Sequence, residues 1–135
     1  MKKYNVFDIK GTDFPAGRNT KVIVGPGAPV EAEGFVMGYV TIYPGGSVPL
    51  HSHEQEEVYL ILKGNGEIRI KDKSLSVKKG DYVYISPHQE HHLMNNGKED
   101  LVMIFCYAPK GVVEHWNQEK HGHLKHKEAM QCCQE

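Results

Sequence analysis

The dominant pattern along the chain is a period of two. Phe35 to Tyr43, FVMGYVTIY, is rich in β-branched and aromatic residues and predicts a strand, ended by Pro44-Gly-Gly46. Val58 to Leu62 is a nearly continuous apolar run and Glu67 to Lys71 alternates, so the turn Lys63-Gly-Asn-Gly66 between them predicts a hairpin. Asp72-Lys-Ser74 turns again, Leu75 and Val77 alternate with polar neighbours, and Lys79-Gly80-Asp81 closes that stretch. Tyr82 to Ile85 predicts a strand stopped by Ser86-Pro87, and His88 to His92 a loop entering a further strand. Asn95-Asn-Gly97 reads as a tight turn, and Leu101 to Tyr107, LVMIFCY, as a buried strand ended by Pro109. Nearer the start, Tyr4, Val6, Phe7 and Ile9 alternate weakly before Gly11, Pro15 and Gly17. This predicts an arm or edge strand within residues 1–20. Lys21 to Val24 is a short strand that the Gly25 to Pro29 loop stops.

Many short strands joined by Gly, Pro and Asn turns, with no strong helix before residue 111, predict an all-β sandwich or barrel over residues 21–110. Residues 111–135 change character. They are polar and rich in His, Lys and Glu, and predict a short helical or irregular segment that Gly122 interrupts. No linker divides the chain, and 135 residues suit one domain with a single core.

Composition then narrows the partners. A formal net charge of -1 gives no reason to expect nucleic acid. Mean hydropathy is -0.51, and no apolar run approaches the roughly 20 residues of a membrane span. The opening MKKYNVFDIKGTDF lacks the apolar core of a signal peptide, and three cysteines are too few for a disulfide framework. A cytoplasmic location is the expectation.

Nine histidines are the unusual total, and position decides their meaning. In an extended chain His51 and His53 point the same way, as does Glu57 if the strand stays regular. Two imidazoles and a carboxylate on one face are part of a coordination shell for a divalent first-row metal. A fourth donor could come from His88, His91 or His92, after the Tyr82 to Ile85 strand, and parity does not choose among them.

The stretch GGSVPLHSHEQEEVYLILKG resembles the first motif of the cupin superfamily, with Gly45, His51, His53, Glu57 and Gly64 at the family's spacing. The second motif resembles Gly80, Asp81, Pro87, His92 and Asn96, with one extra residue between Gly80 and Pro87 and Gln89 where the family often has glycine. The resemblance implies a cupin-type β-barrel, or jelly roll, in which His51, His53, Glu57 and His92 hold one divalent transition metal: manganese, iron, nickel, zinc or copper. It also implies a small-molecule ligand and a homodimer.

Around that site, Tyr59 shares parity with Glu57 and is the candidate catalytic residue; Tyr39, Met94 and Phe105 are candidate substrate contacts. Glu56 is expected to point outward, His91 to face away from the site, and His88 and Arg69 to lie at the surface. His115, His121, His123 and His126 have no i, i+4 pairing, so with Trp116, Cys132 and Cys133 they read as a polar tail. Two functions fit. One is an enzyme acting on a small oxygenated metabolite, by isomerase, decarboxylase, lyase or dioxygenase chemistry with the metal as Lewis acid. The other is a module that binds a sugar, an organic acid or the metal without turnover.

Overall fold

The computed structural model describes residues 1–111. The predicted C-terminal segment, with its four histidines, Trp116, Cys132 and Cys133, lies outside the described residues. Ten strands run in order: β1 Thr12–Phe14, β2 Arg18–Val24, β3 Val36–Ile42, β4 Ser47–His51, β5 Glu56–Lys63, β6 Asn65–Ile70, β7 Lys73–Lys78, β8 Tyr82–Ile85, β9 His91–Met94 and β10 Leu101–Ala108. They form two antiparallel sheets, β1-β2-β3-β10-β5-β8 and β4-β9-β6-β7. This is the all-β jelly roll that the alternation predicts. No described helix is long and apolar enough to cross a membrane.

Alternation fixes what each strand buries. β3 turns Val36, Gly38, Val40 and Ile42 inward, and β5 turns Glu57, Tyr59 and Ile61 inward while Val58 and Leu60 face out. The opposite sheet supplies Val48, Ile68, Val77 and Leu93 to the same core. Each such fully buried aliphatic side chain contributes about 1.5–3 kcal/mol relative to exposure. Gly38 has a packing role. It pairs with Phe105 across the ladder, and a Cβ there would lie 2.3 Å from the Phe105 ring. The missing side chain lets that ring lie over β3 and reach the interior.

The edge strand expected within residues 1–20 is present but lies after the weak alternation, and one expectation, the hairpin, needs correction. Val6 to Ile9 is no strand: Val6–Asp8 is a 3₁₀ turn capped by Asn5, whose side chain accepts from the Phe7 amide at 2.9 Å. The edge strand is β1 instead. Nor do β5 and β6 form a hairpin. β5 pairs with β10 and β8, whereas β6 pairs with β7 and β9 in the other sheet. Gly64 is the corner between sheets, and the true hairpin is β6–β7.

Asn95 ties the sheets together at the end of β9. Its buried amide donates to the carbonyls of Ile42 (2.8 Å) and Glu99 (2.7 Å), and its oxygen accepts from the Gly97 amide (2.9 Å). Asn95→Ala strands those groups and is expected to cost about 3 kcal/mol, whereas Asn96→Ala, at an exposed position, should be near neutral. Urea titrations of the two variants check this; equal midpoints would contradict it.

Candidate metal centre

Four segments build the centre. β4 ends at His51, the chain then leaves the strand and carries His53, and β5 opens with Glu57 on its inward face. The fourth member comes from β9. His51 and His91 are direct partners across the β4–β9 ladder, and such partners share a face. Their rings lie 4.0 Å apart, with His53 at 5.4 Å from His51 and 5.2 Å from His91. One candidate ligand atom each from His51, His53, Glu57 and His91 lie within 4.8 Å of one another, so this cluster could hold a metal ion.

His92 is not in that cluster. It pairs with Arg69 on β6, while His91 pairs with Ile70, whose face carries the buried Ile68. Adjacent residues of a strand point to opposite faces, so His91 turns to the centre and His92, fully buried, turns away. The expectation that His91 faces away is reversed by the same ladder.

The histidines are oriented by the backbone. Nδ1 of His51 lies 2.7 Å from the Pro49 carbonyl, Nδ1 of His53 2.9 Å from that of Gln55, and Nδ1 of His91 2.8 Å from that of Gln89. A carbonyl only accepts, so each Nδ1 carries the proton and each neutral ring presents an Nε2 lone pair. His53 Nε2 lies 3.1 Å and His91 Nε2 3.3 Å from Glu57 Oε1; the His91 atom is buried and makes no hydrogen bond. Lone pairs and a carboxylate oxygen facing one another repel unless a proton or a metal cation sits among them. The donor set therefore fits a divalent first-row metal, with the backbone carbonyls holding the rings in place.

Without a cation, a proton takes that role. Burial pushes the His53 imidazole down, but the hydrogen bond and charge of Glu57 and the Gln55 carbonyl outweigh it and hold His53 above its ordinary 6.5. Burial pushes Glu57 up, yet His53 and His91 outweigh it and hold that carboxyl below its usual range. His53's share of metal-free stability is therefore fully present below about pH 6.5 and lost as pH rises through its raised folded value. Glu57's share is present above its unfolded value and lost as pH falls through the depressed folded one. A metal needs His53 neutral, so divalent metal should raise the melting midpoint more at about pH 8 than at about pH 6. Equal increments in scanning calorimetry would contradict proton–metal competition at His53.

Beside the cluster lies a cavity of about 20 Å³, room for roughly one ordered water. His51, Glu57, Tyr59 and Phe105 line it, with Arg18 and Thr20. Tyr59 is thus at the site, its ring 5.8 Å from His91. Burial and then the Glu57 charge push its hydroxyl well above the ordinary value, with Arg18 opposing in part, so it stays a proton donor. Burial and Glu57 likewise push Tyr107 up to about 12. Tyr39 is not at the site: it packs edge-on against Phe7 at 5.8 Å and, by alternation with Gly38 and Val40, lies on the outer face. Met94 shares the face of His92 and does not line the cavity. Glu56 is exposed and accepts from the Tyr84 hydroxyl at 3.0 Å, as its parity predicts, and His88 is exposed. Sequence reasoning missed Arg18 and Thr20. Their signal was alternation with Val22, hidden by starting the strand at Lys21.

The sequence model of the Cupin domain family matches residues 38–107, just over half of the chain. The oxalate-binding protein of Thermotoga maritima is 41% identical over 62 residues, 45% of this chain and 51% of that protein, so the chain spans about half of that relative's length. An L-ectoine synthase of Bordetella petrii is 31% identical over 107 residues, 78% of this chain and 80% of the synthase. An RmlC-like cupin from Shewanella frigidimarina shares the fold with a TM-score of 0.67 at 13% identity, over 78% of this chain and 88% of that one. The two sheets, the inward cluster of histidines and glutamate, and the match across the strands that carry it lead to one conclusion: the chain belongs to the cupin family.

Proposed function

We propose that this chain is a metal-dependent cupin enzyme that acts on a small oxygenated metabolite. His51, His53, Glu57 and His91 would hold one divalent transition metal. One observation carries the reading: three imidazoles, each fixed by a backbone carbonyl, gather with a single buried carboxylate, which the Nε2 atoms of His53 and His91 face. When bound, a divalent ion there supplies Lewis-acid polarisation of an oxygen. The chain's own residues do the rest. Tyr59 offers a protonated hydroxyl beside the centre, suited to donate to a ligand oxygen. Val40, Val48, Met103 and Phe105 make the cavity wall apolar and exclude bulk water, which strengthens each polar contact inside.

A second reading, binding without turnover, is favoured by the cavity's small volume. It is also favoured by the likeness to a protein named for binding oxalate. The experiment loads the protein with manganese or iron and offers a panel of small hydroxy, keto and dicarboxylic acids, oxalate included. Products are followed by NMR and binding by calorimetry. Turnover that Tyr59→Phe abolishes while binding persists supports the enzyme. Binding with no product from any member supports the module, and a protein that takes up no metal defeats the metal-dependent enzyme.

A further inference from the structure

We infer that the cavity beside the cluster takes a small carboxylate-bearing ligand, held at its charged end by Arg18 and Thr20. The metal end of this picture rests on the function proposed above; the Arg18 end does not.

Arg18 opens β2 opposite Ile42 of β3, and Arg18 and Thr20 are buried while the residues between and beside them are less so. This alternation aims the guanidinium into the barrel, where only 1% of the residue is exposed. Two contacts set its orientation. Nη1 donates to the Ser47 carbonyl at 3.2 Å, and the guanidinium stacks over the Phe14 ring at 4.3 Å. So held, Arg18 lines the same cavity as His51, Glu57 and Tyr59. A guanidinium kept inside an apolar wall is costly to bury, and its flat fork of donors matches a carboxylate better than any neutral group. Thr20, two residues on, is a second observation. Its hydroxyl oxygen is buried, makes no hydrogen bond among the described residues, and lines that cavity.

Charge balance points the same way. Among the described residues, Arg18 and Glu57 are the Arg, Lys, Asp or Glu side chains that are buried, and they offset each other. A divalent ion on the cluster would leave the interior with two uncompensated positive charges. An anionic ligand is the species that neutralises such a site, and a low-dielectric wall magnifies the preference. At about 20 Å³ the cavity seats one water-sized group, so the carboxylate displaces that water and the apolar wall must shift to admit the rest of the ligand, which favours the smallest acids.

Acetate and acetamide separate charge from size. Their binding is measured by calorimetry on metal-free and on manganese-loaded protein, for wild type, Arg18→Gln and Thr20→Val. Wild type is expected to favour acetate by about 10-fold or more in both forms, as one charge-assisted hydrogen bond allows. Arg18→Gln should erase the preference, and Thr20→Val should reduce acetate binding several-fold. Wild type that binds the two alike, or neither, overturns the inference, as does an Arg18→Gln protein that keeps the preference. If Arg18→Gln does not fold, the wild-type comparison and Thr20→Val decide. Should the protein take up no metal while its metal-free form still favours acetate, the metal reading falls and this one stands.

Discussion

His91→Ala is expected to weaken divalent-metal binding by more than about 100-fold, while His92→Ala keeps one metal per folded chain. The expectation follows from register. His91 is the direct ladder partner of His51, and its buried Nε2 sits 3.3 Å from the Glu57 carboxylate. Removing a group that only orients a ligand typically costs about 10–100-fold in affinity, and removing a ligand itself exceeds that. His92 is fully buried on the opposite face, so its loss should lower folding stability without touching the donor set. Metal titrations of both variants, corrected for the folded fraction, read the two effects apart. The reverse order of affinities would show that the cluster is not the site.

Gly64→Ala is expected to cost about 3–5 kcal/mol, lowering the melting midpoint by on the order of 10 °C. Two penalties coincide there. The backbone has φ of 88°, a region that L side chains rarely adopt, which costs about 1–3 kcal/mol. The added Cβ would also lie 2.4 Å from the Asp100 carbonyl oxygen and 3.0 Å from the Leu101 Cα, both backbone atoms that cannot swing aside. Gly80 is the control. Its φ is 92°, yet a Cβ there meets nothing within 4 Å, so Gly80→Ala should show the backbone penalty alone, about 1 kcal/mol. Thermal melts of the two variants separate strain from collision; similar losses would contradict the close approach at the Gly64 corner.

The parts of the fold that were legible in the sequence are those where alternation ran unbroken. β3 and β10 read directly from FVMGYVTIY and LVMIFCY, because a strand with one buried face repeats every second residue. Gly64 was misread because Gly-Asn-Gly serves equally for a hairpin and for a change of sheet; only the partners of β5 and β6 distinguish them. At the centre, His51, His53 and Glu57 were legible from spacing, although the strand breaks after His51 and Glu57 regains the face only after the bend at residues 54–55. The fourth member was ambiguous by construction. His91-His92 is followed by Asn95-Asn96, so the same histidine-to-asparagine spacing fits at two registers one residue apart. The structure selects the earlier register at both positions, with Asn95 buried in its hydrogen bonds and Asn96 exposed. Arg18 stayed hidden because the strand was read as starting only at Lys21, and its burial depends on a sheet that sequence periodicity does not show.

X-ray absorption on the metal-loaded protein tests the central claim most directly. The account predicts a first shell of nitrogen and oxygen only, at about 2.0–2.2 Å, with outer-shell scattering from three imidazole rings. That scattering should fall to two rings in His91→Ala and stay at three in His92→Ala. A shell containing sulfur near 2.3 Å, or one without imidazole scattering, would place the metal elsewhere and contradict the account.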